Sequence, residues 1–470
     1  MKNITWTLLL LFWTGFTLAQ KRPALERPNI IVILTDDQGY ADVGFNGSKD
    51  IPTPGIDRIA QNGVVFTSGY VSYAVCGPSR AGFITGRYQD RFGFSRNPLL
   101  APKDSIMGLP LSEETMADML KKAGYKTGVL GKWHMGTHPS LWPNRRGFDE
   151  FYGFLEGGHQ YFPEKWDINS EGEARTQYDG YRTKLLRNTQ RVEETEYLTD
   201  ALSREALNFV KAHQKAPFLL YLAYNAPHAP LQATEKYLSR FDHIEDPRRK
   251  TYAAMVSAVD DGVGALMDLL EELKIEENTL VFFLSDNGGP TKDNASDNSP
   301  LRGFKSDFFE GGVRVPFAMQ WKGQVPAGQR FDHPVISLDI FATAAALAEV
   351  KPKNELDGVN LIPFLTGDKK DPPHQALYWR NFDRNRFAIR TADSKMILQP
   401  DTEFLFDIES DISESKNVIS ADPSRKYRLA ERIEQWKKIL IDPAFLGLLE
   451  DKEYNRLHTD RFTPETKEND

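Results

Sequence analysis

The sequence has a single cysteine, Cys76, so no disulfide bond can form within the chain. Stability must therefore come from a hydrophobic core, which 470 residues are enough to bury. After its first residues the sequence also lacks an apolar run that could span a bilayer. The formal net charge of −8 argues against nucleic acid or an anionic membrane as the main partner. An anionic substrate would need a pocket that concentrates positive charge.

The one early apolar run, from Trp6 to Leu18, has the pattern of a secretory signal peptide. Lys2 precedes it, and small residues at a cleavage site follow it. The run is short for a membrane span, which makes an uncleaved anchor the weaker alternative. We predict that residues 1–19 are a signal peptide cleaved after Ala19. The mature protein is then periplasmic or secreted and has no membrane span.

Buried apolar strands alternate with helices along most of the chain, which predicts an α/β fold with a large, mostly parallel sheet flanked by helices. Strands are predicted at 29–34, 127–131, 218–223 and 280–284, and helices at 112–123, 197–213 and about 251–273. In the first helix, Ser112 is the predicted N-cap and Leu111 is predicted to pack on Met116. Residues 140–195 show no sustained period and are predicted to form long loops, which often shape substrate binding.

The pattern changes after about residue 370. Short strand segments at 387–390, 395–398 and 404–406 lead to a helix with Leu429, Ile433, Trp436 and Leu440 on one side. We therefore predict a large domain over residues 20–370. Residues 371–470 are predicted to form a smaller α+β subdomain with antiparallel strands and a terminal helix.

Each of the four predicted strands is followed by polar residues: Asp36 and Asp37, Lys132 and His134, His228, and Asp286 and Asn287. Ligands of an open parallel sheet bind beyond the carboxyl ends of its strands, so these residues are expected to converge. The oxygen-bearing members, Asp36, Asp37, Asp286 and Asn287, favour Ca²⁺ or Mg²⁺ over zinc or copper. The same dipeptides also occur as ordinary turns after strands.

Candidate cationic and proton-transfer groups are Arg80, Lys132, His134 and His228, with Lys305 as a further member. Together they could surround an anionic substrate. Taken singly, a lysine is more typical of a solvated surface, and a histidine of a structural position.

The run Cys76-Gly77-Pro78-Ser79-Arg80, followed by Thr85-Gly86, resembles the signature of the type I sulfatases, which belong to the alkaline phosphatase superfamily. Other motifs of that family follow in family order, over about residues 28–316. They are Asp36-Asp37-x-Gly39, Thr53-Pro54-x-x-Asp57, Gly131-Lys132-Trp133-His134, Pro227-His228-x-Pro230, Ser285-Asp286-Asn287-Gly288, and Lys305 with Glu310-Gly311-Gly312.

This resemblance implies an alkaline-phosphatase-like fold and hydrolysis of a sulfate monoester by residues 20–370. It implies that a separate maturation enzyme oxidises Cys76 to formylglycine. One hydroxyl of the hydrated aldehyde then attacks sulfur, and the other expels sulfate as the aldehyde reforms. A divalent cation, Ca²⁺ or else Mg²⁺, would be held by Asp36, Asp37, Asp286, Asn287 and the modified Cys76.

The resemblance also implies roles for the cationic groups. Arg80 and Lys132 would orient the formylglycine hydrate, and His134 would assist its proton transfers. His228 and Lys305 would contact the sulfate and protonate or neutralise the leaving oxygen.

The substrate is expected to be a sulfated carbohydrate, because the signal peptide indicates export and the loops at 157–162 are aromatic. Trp142 and Trp166 could stack on sugar rings, although ordinary loop packing explains them equally well. Two other functions stay open. One is a phosphate or phosphonate ester hydrolase of the same superfamily, because fold does not fix function. The other is a non-catalytic sulfated-glycan-binding protein in which Cys76 stays a thiol.

Overall fold

The computed structural model describes residues 27–462, so the predicted signal peptide and its cleavage after Ala19 lie outside the described residues. Among the described residues, the strands in chain order are β1 (Asn29–Thr35), β2 (Val64–Phe66), β3 (Gly69–Tyr70), β4 (Lys126–Lys132), β5 (Glu150–Phe154), β6 (Leu186–Arg187), β7 (Gln190–Arg191), β8 (Phe218–Ala223), β9 (Thr279–Ser285), β10 (Phe317–Gln320), β11 (Gln329–Phe331), β12 (Val335–Ile336), β13 (Leu377–Asn381), β14 (Arg386–Arg390), β15 (Ser394–Gln399) and β16 (Thr402–Asp407).

The α-helices of the same residues are α1 (Pro54–Gln61), α2 (Cys76–Thr85), α3 (Met116–Lys122), α4 (Leu198–His213), α5 (Glu235–Leu238), α6 (Pro247–Glu272), α7 (Thr291–Asn294), α8 (Glu310–Val313), α9 (Asp339–Ala348), α10 (Ile362–Leu365), α11 (Pro423–Lys437) and α12 (Asp451–Leu457). Within residues 27–462, no helix is both long enough and apolar enough to cross a membrane.

The main sheet has the strand order β11-β2-β10-β9-β1-β8-β4-β5-β6-β7. Its central strands β9, β1, β8, β4 and β5 are parallel, whereas β10 runs antiparallel to β9 and β6 antiparallel to β5. Side chains of a strand alternate between the two faces. Accordingly, Ile30 and Val32 of β1 pack in one hydrophobic core, and Ile31 and Ile33 pack in another. The predicted mixed, mostly parallel sheet flanked by helices is confirmed.

The predicted boundaries of two helices are wrong. Helix α3 begins at Met116, because Thr115 and Asp118 form a reciprocal capping box. The side chain of Leu111 is 62% exposed, so the predicted contact with Met116 does not form. Helix α6 begins earlier than predicted, at Pro247, where the side chain of Asp246 accepts a hydrogen bond from the Arg248 N–H.

The absence of a period predicted that residues 140–195 form loops throughout, and this prediction is wrong in part. It contains β5, which pairs in parallel with β4 and extends the sheet. Only five residues long and interrupted by Gly153, β5 is too short to show a pattern of its own. The hydrogen bonds of β5 are made with the neighbouring strand β4. Such tertiary pairing cannot be recognised from the local sequence pattern.

The C-terminal residues form a separate antiparallel sheet in the order β13-β14-β15-β16. Helix α11 buries Leu429 and Ile433 against this sheet, and Trp436 stacks on Tyr378 with ring centroids 5.1 Å apart. Leu440 lies beyond the end of α11 but still packs against an apolar cluster that contains Trp436. The α+β character of this part agrees with expectation, and the boundary at residue 370 stays a prediction.

Candidate active site

The residues predicted at the four strand ends meet at one place. Strands β9, β1, β8 and β4 are adjacent and parallel, so the segments that follow them lie side by side at the carboxyl edge of the sheet. Helix α2 begins at the same place. The Sγ atom of Cys76 lies 3.4 Å from Oδ1 of Asp36 and 3.2 Å from Nζ of Lys305.

All ten residues of α2 are buried, including Arg80. Its N-cap residue, Val75, has an extended backbone and no side-chain hydrogen bond to the first turn. The N–H of Gly77 donates to Oδ1 of Asn97 over 2.8 Å. At the other end Gly86 closes the helix with φ of 66°, a left-handed conformation that favours glycine. The fold thus fixes Cys76 in the first turn of a fully enclosed helix.

Three carboxylates and the Cys76 thiol form an acidic cluster. One ligand atom from each of Asp36, Asp37, Asp286 and Cys76 lies within 4.8 Å of every other. Burial and then the charge of Asp36 raise the pKa of Asp286 to about 6. Burial also raises the pKa of Asp37, but the charges of Lys305 and His228 outweigh burial and lower the pKa of that carboxyl to about 2.

Asn287 joins this cluster through its amide. Its Nδ2 donates to Oδ1 of Asp37 over 2.6 Å, while its Oδ1 is buried and accepts no hydrogen bond from any described residue. This buried oxygen accepts no hydrogen bond and lies beside three carboxylates. Together these oxygen atoms form a ligand set that suits a hard divalent cation.

Three cationic side chains face the three carboxylates. Nζ of Lys132 lies 2.5 Å from Asp36 Oδ2, Nη2 of Arg80 lies 2.8 Å from Asp286 Oδ2, and Nζ of Lys305 lies 2.7 Å from Asp37 Oδ1. Arg80 and Lys132 are completely buried. For Lys305, burial opposes the charged form, but the charge of Asp37 raises its pKa well above the usual range.

Two histidines complete the group. The Nδ1 of His228 lies 2.5 Å from the carbonyl of Ala229, to which it donates, and Nε2 lies 3.6 Å from Asp37 Oδ2. Burial lowers the pKa of His228 to about 3 despite the charge of Asp37. Burial, then Lys132 and Arg80, also lower the pKa of His134, whose buried Nδ1 has no hydrogen-bond partner among the described residues. Both rings are therefore neutral at pH 7.

A cavity of about 260 Å³ opens at this group. Cys76, His134, His228 and Lys305 line it, together with segments distant in sequence: residues 95–98, 156–157, 177–181, 381–384 and 448–450. Arg96 connects two of these segments, since its Nε lies 3.0 Å from Asp383 Oδ2 and its Nη1 donates to the Phe445 carbonyl over 3.0 Å. The wall of the cavity thus combines segments that precede the C-terminal sheet with segments of that sheet and of the chain after α11.

The aromatic residues singled out from the sequence do not line this cavity. Trp166 is 5% exposed and donates through Nε1 to the Gln160 carbonyl. Trp142 is partly buried in the core and borders a different cavity. The packing interpretation of both is therefore correct. The aromatic residues that do line the cavity are Tyr73, Tyr178 and Tyr181, and Tyr178 is 66% exposed.

The fold and this arrangement of carboxylates, cations and histidines define an alkaline-phosphatase-like hydrolase. The sulfatase family model matches residues 28–350, and the model of the N-sulphoglucosamine sulphohydrolase C-terminal region matches residues 304–438. The chain belongs to the sulfatase family, and it is a sulfuric ester hydrolase.

Known relatives agree with this assignment. N-acetylgalactosamine-6-sulfatase of Mus musculus is 35% identical over 364 residues, which cover 74% of this chain and 68% of that protein. The crystal structure of Ps i-CgsB in complex with k-i-k-neocarrahexaose is 41% identical, with a TM-score of 0.85 over 94% of this chain and 100% of that chain. The phosphonate monoester hydrolase of Agrobacterium radiobacter, at 20% identity and a TM-score of 0.63 over 88% of this chain and 95% of that one, shares the fold alone.

Proposed function

We propose that this enzyme removes sulfate from a sulfated carbohydrate derived from a polysaccharide, with Cys76 converted to formylglycine and Ca²⁺, or else Mg²⁺, beside it. The observation that carries the proposal is the enclosure of Cys76 by three carboxylates and three cationic side chains at a cavity. A relative that removes the 6-sulfate of N-acetylgalactosamine and one that binds neocarrahexaose both support a carbohydrate substrate.

The cation would be held by Asp36, Asp37, Asp286, Asn287 and the modified Cys76. The unpartnered Oδ1 of Asn287 supports this donor set, because a bound cation satisfies a buried oxygen that no described residue reaches. When bound, the cation supplies positive charge for the oxygens of the sulfate group.

Charge balance explains how an acidic protein can bind an anionic ester. Asp36, Asp37 and Asp286 are matched by Arg80, Lys132 and Lys305, so the group has a formal charge near zero. A divalent cation makes it positive, and burial strengthens its attraction for an anion. The cavity then attracts a sulfate ester although the whole chain carries −8.

The side chains around Cys76 have separate tasks in this proposal. Arg80 and Lys132 are buried donors that hold the hydrated formylglycine in position. The neutral ring of His134 lines the cavity with Cys76 and accepts a proton there. Lys305, charged and within hydrogen-bond distance of both Asp37 and Cys76, neutralises charge on the sulfate. His228 presents Nε2 to the leaving oxygen of the sugar.

The test begins with mass spectrometry of the peptide that contains Cys76, in protein made by the native host. We expect formylglycine there, installed by a maturation enzyme, and sulfate release from k-i-k-neocarrahexaose or from N-acetylgalactosamine 6-sulfate. An unmodified thiol without sulfate release would favour the glycan-binding alternative. Faster hydrolysis of 4-nitrophenyl phosphate than of 4-nitrophenyl sulfate would favour the phosphoesterase alternative. N-terminal sequencing of the exported protein tests cleavage after Ala19.

A further inference from the structure

Glu156 is a buried carboxyl group without a partner in the wall of the cavity. Its side chain is 3% exposed, and its Oε1 is buried without a hydrogen bond. Among the described residues, no hydrogen bond or ion pair involves either oxygen of this carboxyl group. Burial of an unpaired carboxyl group disfavours folding. Residues that oppose stability in this way, without a local compensation, are typical of functional sites.

The position of Glu156 is fixed close to the reacting groups. It follows β5, and the next residue, Gly157, is packed so tightly on His134 that a Cβ there would lie 2.7 Å from Nε2 of that ring. On its other side, a Cβ on Gly180 would lie 2.5 Å from Cγ of Glu156. The carboxyl group is therefore confined between the His134 side of the cavity and the 177–181 segment, in the same cavity as Cys76.

Other acidic residues of this region are compensated. Glu171 is also buried, but it forms an ion pair with Arg191. Burial and the charge of Glu171 raise the pKa of Glu156 to about 8. The charges of Arg461 and Arg191 oppose this shift, but Glu156 forms no ion pair or hydrogen bond with either of them. The substrate cavity thus encloses a carboxyl group that no described residue pairs.

A carboxyl group suits one part of a sulfated sugar better than the other. The sulfate ester has only acceptor oxygens, whereas a sugar hydroxyl both donates and accepts a hydrogen bond. With its pKa raised to about 8, the carboxyl group of Glu156 is mostly protonated at pH 7, so it both donates and accepts hydrogen bonds and can pair with a sugar hydroxyl in both directions. We propose that Glu156 is a specificity-determining residue that hydrogen-bonds a hydroxyl of the sugar bearing the scissile sulfate. This inference rests on the proposed function.

The test compares substrates with and without sugar hydroxyls. In Glu156→Ala, we expect kcat/KM for k-i-k-neocarrahexaose to fall about 3- to 10-fold more than kcat/KM for 4-nitrophenyl sulfate, the range for a hydrogen bond between uncharged groups. The Ki of inorganic sulfate should rise by no more than about twofold, because the proposed function places the sulfate group beside Cys76 and Lys305 and not at Glu156. Glu156→Gln keeps an acceptor and should recover part of the loss. Tm should not fall in either variant.

Glu276→Gln is the matched control, because Glu276 is a buried glutamate that is ion-paired with Lys322 and does not line this cavity. It should lower Tm and affect both substrates by the same factor. Equal losses for both substrates in Glu156→Ala, a sulfate Ki that rises with them, or no loss at all would each overturn the inference. A wild-type enzyme that releases sulfate from neither ester would instead refute the proposed function.

Discussion

Replacing His228 by alanine tests how the leaving group departs. The Nδ1–H of His228 is bound to the Ala229 carbonyl, so the ring is held with Nε2 toward Asp37 and the cavity. Nε2 is therefore the atom that can deliver a proton to the oxygen of a departing alcohol. Because burial lowers the pKa of His228 to about 3 in the free protein, the ring must gain that proton after the anionic ester has bound beside it.

The expected size of the effect follows from the basicity of the leaving oxygen. A positioned general acid contributes about 10²- to 10⁴-fold when the leaving group needs a proton, or about 3 to 5 kcal/mol of transition-state stabilisation. A sugar alkoxide needs that proton, whereas 4-nitrophenolate departs as an anion. His228→Ala should therefore lower kcat for k-i-k-neocarrahexaose by about 10²- to 10⁴-fold, and for 4-nitrophenyl sulfate by less than about tenfold.

Sulfate release is measured for both esters under saturating conditions, with Tm as a check on folding. His159→Ala is the matched control, since His159 is completely buried and both ring nitrogens are bound to backbone carbonyls, of Gln160 and Thr183. The control should lose stability without distinguishing the two esters. Equal losses for both esters in His228→Ala would refute the role of Nε2 as proton donor.

The remaining predictions concern the nucleophile, the cation, the cavity wall and the contact between domains. Cys76→Ala should abolish sulfate release with little change in Tm, because a small side chain is removed; normal turnover would exclude Cys76 as the nucleophile precursor. EDTA should lower Tm, and added Ca²⁺ should restore it. Asn287→Ala should weaken Ca²⁺ binding, measured by calorimetry, by at least about tenfold. An unchanged affinity would remove Asn287 from the set of metal ligands. Arg384→Gln removes an exposed positive charge from the cavity wall. It should raise KM for neocarrahexaose about two- to fivefold, and added salt should weaken this effect. An unaltered KM would mean that the sugar binds away from Arg384. Lys395→Met breaks a completely buried ion pair of 2.6 Å with Glu310, which joins the C-terminal sheet to the preceding part of the chain. It should lower the free energy of unfolding in urea by about 3 to 5 kcal/mol; a smaller loss would mean that other contacts between the two parts, such as that of Arg96 with Asp383, carry more of the stability.

The group around Cys76 was predictable because each of its parts has a local sequence signal. A buried apolar strand ends in Asp36 and Asp37, and another ends in Asp286 and Asn287. Parallel pairing then brings strand ends together whatever the detailed order of the sheet. The fold class followed from the same alternation of strands and helices.

The cavity wall was not predictable, for a physical reason. Glu156, Tyr178 and Arg384 lie in segments that are far apart in the sequence, without any repeating pattern. Whether such a side chain faces a substrate or the core depends on tertiary packing, as the burial of Trp166 illustrates. The start of α3 was misplaced because two capping sequences, at Ser112 and Thr115, lie within one turn of each other, and only packing decides between them.

The complete burial of α2 bears on when Cys76 can be modified relative to folding. Every residue from Cys76 to Thr85 is buried in the folded protein, so α2 does not present this segment as an exposed peptide that a second enzyme could bind along its length. Under the proposed function, conversion of the cysteine to formylglycine therefore precedes folding, and the two processes compete for the same newly made chain. Under that proposal, a chain that folds before modification lacks the nucleophile, so the yield of active enzyme depends on the relative rates of modification and folding.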